Sequence, residues 1–136
     1  MKDRVFEITD LVRETGFAIH SYLGSGHLEK VYENALAHRL GKQGLKIEQQ
    51  KALSVRDEDG TMLGEYFADI IVEDSLLLEL KAVRAFAGEH VAQLLGYLRS
   101  SRMEHGALLN FGASRFQIRK LGMTEAFHST EPLELA

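Results

Sequence analysis

Two neighbouring segments, residues 66–72 (YFADIIV) and 76–83 (LLLELKAV), are apolar on both alternating faces and are separated only by Glu73-Asp74-Ser75. Runs of this kind belong to strands buried on both sides, which requires a sheet covered by helices on its two faces. Three charges interrupt the two runs: Asp69, Glu79 and Lys81. An unpaired charge in such a strand is costly, so each must find a partner, face a cleft or bind an ion.

The flanking sequence supplies the helices. Residues 4–23 space Val5, Ile8, Val12, Ile19 and Leu23 as one amphipathic stripe, which Gly24-Ser25-Gly26 interrupts. A second helix is expected over residues 28–43, burying Leu28, Val31, Tyr32, Ala35, Leu36 and Leu40 and ending at Gly44. The period then changes to two. An extended segment from Leu45 through Leu53 and Val55 reaches the turn Asp57-Glu58-Asp59-Gly60, with its Asp-Gly hairpin signal. A third helix over residues 89–102 buries Val91, Leu94, Leu95 and Leu98, and strands follow over 107–111 and 116–121. The order predicts an α/β sandwich around a mixed sheet.

At 136 residues the chain has the length of one domain, with a core over about residues 5–121 and a frayed tail at 122–136 around the only proline, Pro132. The absence of cysteine excludes a disulfide scaffold, a thiol nucleophile and any thiolate-bound metal. No apolar run approaches a membrane span, so no membrane partner is expected and a cytoplasmic location is. A net charge of -4 argues against coating nucleic acid by bulk charge, so any such binding must be local.

If Glu73-Asp74-Ser75 is a three-residue hairpin loop, Val72 faces Leu76 and the register sets Asp69 opposite Glu79, with Lys81 on the same face. A two-residue loop would set Asp69 opposite Leu80 instead. Two carboxylates this close repel unless a divalent cation joins them. Mg²⁺ or Mn²⁺ suits carboxylates plus a substrate phosphate, and a nearby lysine can stabilise the transition state. The chemistry that fits is metal-assisted phosphodiester hydrolysis.

Asp69 followed after nine residues by Glu79-Leu80-Lys81 resembles the D…ExK signature of the PD-(D/E)XK nuclease superfamily. Two further motifs, Gly26-His27-Leu28-Glu29-Lys30-Val31-Tyr32 as G-x-x-E-x-x-Y and Gln93-Leu94-Leu95-Gly96-Tyr97 as Q-x-x-x-Y, join the segment from Gly106 to Gly112. Together they resemble the small stand-alone GxxExxY proteins over roughly residues 5 to 121. The resemblance implies a restriction-endonuclease-like αβββαβ core. It also implies Asp69 and Glu79 as principal metal ligands, Glu29 approaching the ion from its helix, Lys81 as catalytic lysine, and Gln93 with Tyr97 lining the site. Ala68 stands where the superfamily name has proline.

Each residue also has a plainer reading. Asp69, Glu79 and Lys81 could form a structural ion pair, Glu29 could serve the helix dipole, and Tyr97 could be a core residue at the helix edge. His90 shares the face of Gln93 and is a candidate phosphate contact, whereas Arg99, Arg102, Arg115, Arg119 and Lys120 form either a basic rim or scattered solvated charges. The sequence expectation is a Mg²⁺- or Mn²⁺-dependent nuclease acting on nucleic acid, DNA in preference to RNA. It allows for a protein partner that delivers substrate and for a homodimer. The alternative is a catalytically idle nuclease-fold module that binds nucleic acid or protein.

Overall fold

The structure, a computed structural model, describes residues 2–123. The expected tail from residue 124 on, with Pro132, lies outside the described residues. Helices α1 (Lys2–Leu23) and α2 (Glu29–Lys42) precede strands β1 (Ile47–Arg56), β2 (Met62–Val72) and β3 (Leu76–Lys81). Helix α3 (Gly88–Ser101) then leads to β4 (His105–Asn110) and β5 (Gln117–Gly122). The five strands form one sheet in the order β1-β2-β3-β4-β5, parallel between β3 and β4 and antiparallel elsewhere. This is a mixed α/β fold, and the αβββαβ order runs from α2 to β4.

Both faces of the sheet are covered, as the uninterrupted apolar runs require. On one face Ile70, Leu78 and Leu109 pack with Ile8, Val12, Leu36 and Leu40 of α1 and α2. On the other, Ala68, Ile71, Leu77 and Leu108 pack with Val91, Leu94 and Leu98 of α3. Tyr32 of the G-x-x-E-x-x-Y motif belongs to this core. It is fully buried, stacks on Phe111 at 4.6 Å, and donates its hydroxyl hydrogen to the Gly24 carbonyl at 2.6 Å. The motif tyrosine therefore locks the α1–α2 turn onto the end of β4.

The expected burial of α2 needs correction at its start. Leu28 is 79% exposed and Val31 is exposed too, whereas Glu33 and Ala37 join Tyr32, Leu36 and Leu40 inside. The inner stripe of α2 thus begins at Tyr32, and the first turn projects past the core. At the other end β5 reaches Gly122, and Met123 is buried with its N–H on the Glu104 carbonyl at 2.6 Å. The core accordingly runs two residues past the expected boundary at 121.

Asn110 and Gly112 fix the exit of β3. The Lys81 carbonyl accepts the Phe111 N–H at 2.9 Å, and the buried Asn110 Oδ1 accepts the N–H groups of Val83 and Gly112, each at 3.0 Å. Gly112 lies so close to this segment that an added Cβ would collide with the backbone of Ala82 and Val83. Gly112→Ala is expected to destabilise the fold by about 2–3 kcal/mol, because backbone cannot yield as a side chain can. Urea unfolding checks this; a midpoint equal to wild type would show that the two segments are not locked together.

Candidate active site

The three-residue loop is present, and Val72 pairs with Leu76, Ile71 with Leu77 and Ile70 with Leu78. One step further the backbone ladder stops and side chains replace it. The Asp69 N–H donates to Glu79 Oε1 at 3.4 Å, and the Leu80 N–H donates to Asp69 Oδ2 at 2.8 Å. The strands therefore open into a wedge whose walls are the Asp69 and Glu79 carboxyl groups. Alternation along β2 also breaks here, since Ala68 packs on the α3 side and Ile70 on the α1–α2 side.

Glu79 is only 7% exposed. Burial first, and the Asp69 charge second, push its carboxyl up to about 8, while the Asp69 N–H and Lys81 draw it partly back. Glu79 thus holds its proton more tightly in the folded, metal-free protein than a free carboxyl would. Lys81, half-buried two residues along β3, pairs in the ladder with Asn110.

A stacked pair of tyrosines from β2 and α3 lies within electrostatic reach of the carboxyl groups. Tyr66 and Tyr97 lie 3.8 Å apart at 16°, and the Tyr66 hydroxyl donates to the Tyr97 carbonyl at 2.7 Å. Burial, then Glu79 and Asp69, raise the Tyr97 phenol; burial foremost carries that of Tyr66 to about 12. Tyr97 is therefore within the field of the Asp69–Glu79 pair, and Tyr66, which the motifs did not single out, is its partner.

The remaining candidates are not tied to the pair by hydrogen bonds. Glu29 is exposed in the first turn of α2, and Gln93 is exposed on α3, neither hydrogen-bonded to Asp69 or Glu79. Among the described residues no three acidic or imidazole groups are arranged to hold a metal ion. The α2 carboxylate linked to the pair is Glu33, one turn further in and 4% exposed. Glu33 accepts from Lys30, Gln49 and Gln50, at 3.0, 2.7 and 2.9 Å, and the same Gln50 amide reaches Asp69 at 3.3 Å. His90 starts α3, its Nδ1 accepting the Ala87 N–H at 2.9 Å. Of the expected basic rim, Arg99 and Arg102 line a cavity of about 390 Å³ with Ser54 and Arg56, next along β1 from Leu53, which pairs with Tyr66. Arg119 lines a different cavity, with Phe86 and Gln117.

A family-level comparison of the sequence matches residues 6–121 to the PD-(D/E)XK nuclease superfamily. The chain belongs to the PD-(D/E)XK nuclease superfamily. The matched span contains the wedge. No curated protein matches the chain. Among solved structures it is similar to the crystal structure of SSO0001, with 23% identity and a TM-score of 0.53 over 77% of this chain and 50% of that one. The likeness shows the fold, and the chain spans half the length of that relative. Among the described residues, no helix is long and apolar enough to cross a membrane.

Proposed function

We propose that the protein is a divalent-metal-dependent nuclease of the GxxExxY type that hydrolyses phosphodiester bonds, with DNA ahead of RNA as substrate. The observation that carries the reading is the opening of β2 from β3 at two facing carboxyl groups, with a lysine two residues away on the same strand.

The donor set fits a hard dication. Asp69 and Glu79 offer carboxylate oxygens, the ligands Mg²⁺ and Mn²⁺ prefer, and a bound ion would offset the burial and the Asp69 charge that raise the Glu79 carboxyl. Bound there, the ion would activate a water molecule and offset charge on the phosphate. Asp69 and Glu79 would hold it, and Lys81 would stabilise negative charge as the phosphate is attacked. Tyr97 and Gln93 would border the substrate, and Glu29, exposed in the first turn of α2, would approach the ion from its helix. His90 would act by setting the start of α3, with its second ring nitrogen left for a phosphate. Three arginines around one cavity beyond the tyrosine pair, outnumbering the single Asp57 there, offer a path for the polynucleotide backbone despite the acidic net charge. Retention of Asp69, Glu79 and Lys81 together disfavours the idle-module alternative.

Incubation of the purified protein with plasmid DNA, linear DNA and RNA, each with Mg²⁺, Mn²⁺ or chelator, tests the reading. Ion-dependent cleavage of DNA, faster than of RNA, is the expected result. Intact polymers under every condition would contradict it.

A further inference from the structure

We infer that Gln50 is a positioning residue for the site, clamping Asp69 in the orientation the wedge requires. The inference rests on the nuclease reading above.

Gln50 lies in the middle of β1, between Gln49, which pairs with Ile70, and Lys51, which pairs with Ala68. It thus stands across from Asp69, yet its backbone departs from the strand, with φ of 51°. A side chain bearing a Cβ rarely adopts that left-handed conformation, and no turn demands it here. The departure coincides with the break in alternation at Asp69, and the register is the same on either side, so the two opposed residues are re-aimed without an inserted residue. Strain kept within a strand calls for an explanation in what the residue does.

The amide group answers it. Gln50 Nε2 donates to Asp69 Oδ1 at 3.3 Å and to Glu33 Oε1 at 2.9 Å. Asp69 is then held through both oxygens, Oδ1 by Gln50 and Oδ2 by the Leu80 N–H. Glu33 is itself fixed by Gln49 and Lys30, so Gln50 ties the Asp69 carboxylate to a buried anchor on α2. An amide suits this place because it donates to two carboxylates without adding charge, where glutamate would repel both and lysine would compete with the ion.

Gln50→Gly separates positioning from folding, because glycine accepts positive φ without strain while removing the clamp. The variant should melt within a few degrees of wild type, because relief of the positive φ offsets part of the cost of the hydrogen bond lost from Glu33. Exchange of the Leu80 amide hydrogen should nevertheless speed up by about tenfold or more as Asp69 is released. Loss of a group that orients a metal ligand typically costs 10–100-fold, so Mn²⁺ affinity should weaken by about tenfold and kcat on DNA should fall by about 10–100-fold, with KM changed by less than about twofold. A Gln50→Gly protein with wild-type Mn²⁺ affinity and kcat, or with Leu80 still protected, would overturn the inference while leaving the nuclease reading in place. Wild-type protein that neither binds Mn²⁺ nor cleaves would overturn that reading, and this inference with it.

Discussion

Lys81→Ala is expected to lower metal-dependent cleavage by about 10²–10³-fold, the usual cost of one preorganised group acting on developing charge. The fold should survive. Lys81 closes β3 at its half-buried end, and its structural contacts, the ladder with Asn110 and the carbonyl that accepts the Phe111 N–H, are made by backbone. Alanine keeps that backbone. The side chain acts on the site instead, as the cation whose field opposes the upward push on Glu79. Rates of DNA cleavage, read beside thermal melts of both proteins, check the expectation. A folded Lys81→Ala protein that cleaves at the wild-type rate would remove Lys81 from the chemistry.

Glu79 gives the second large effect, in stability. Its carboxyl titrates near 4.5 when exposed and near 8 in the folded protein, so the folded state binds the proton more tightly. Its contribution to stability is fully present below about pH 4.5 and is lost as pH rises through about 8. In metal-free protein the loss should reach a few kcal/mol, on the order of ten degrees of melting temperature, because each tenfold difference in proton affinity between the folded and unfolded chain is worth about 1.4 kcal/mol. Glu79→Gln keeps the shape, cannot ionise, and should flatten this part of the profile, making the metal-free variant more stable than wild type at pH 9. Melting curves from pH 4 to 9 in chelator decide it. A wild-type profile no steeper than that of the variant would show that Glu79 ionises without cost. Saturating Mn²⁺ should stabilise wild type at pH 8 and leave Glu79→Gln nearly unmoved.

Much of this arrangement was legible in the sequence because it rests on local rules. Apolar runs with a three-residue polar loop between them define a hairpin of known register, and that register alone brings Asp69 to Glu79. What escaped depends on partners distant along the chain. Glu33 reads as the polar side of an amphipathic helix, and its burial depends on hydrogen bonds from Gln49 and Gln50, on a strand sixteen and seventeen residues later, beside the one from Lys30. Leu28 and Val31 fit a helical stripe, but both side chains stay exposed. Motif spacing singled out Glu29, which is exposed in the first turn of α2, whereas Glu33 one turn on carries the hydrogen bonds. His90 shares a helical face with Gln93, yet its ring is committed to the Ala87 N–H, a local bond that helix-start rules could have anticipated. The left-handed backbone of Gln50 has no local signature, since glutamine is not a residue that favours it.

The central claim is that the Asp69–Glu79 wedge holds a divalent ion, and the most direct measurement is anomalous diffraction from crystals grown with saturating Mn²⁺. One strong peak is expected between the two carboxyl groups, with oxygens of both Asp69 and Glu79 as ligands. Ordered carboxyl groups still bound to the Leu80 and Asp69 N–H groups, with no anomalous peak between them, would contradict it.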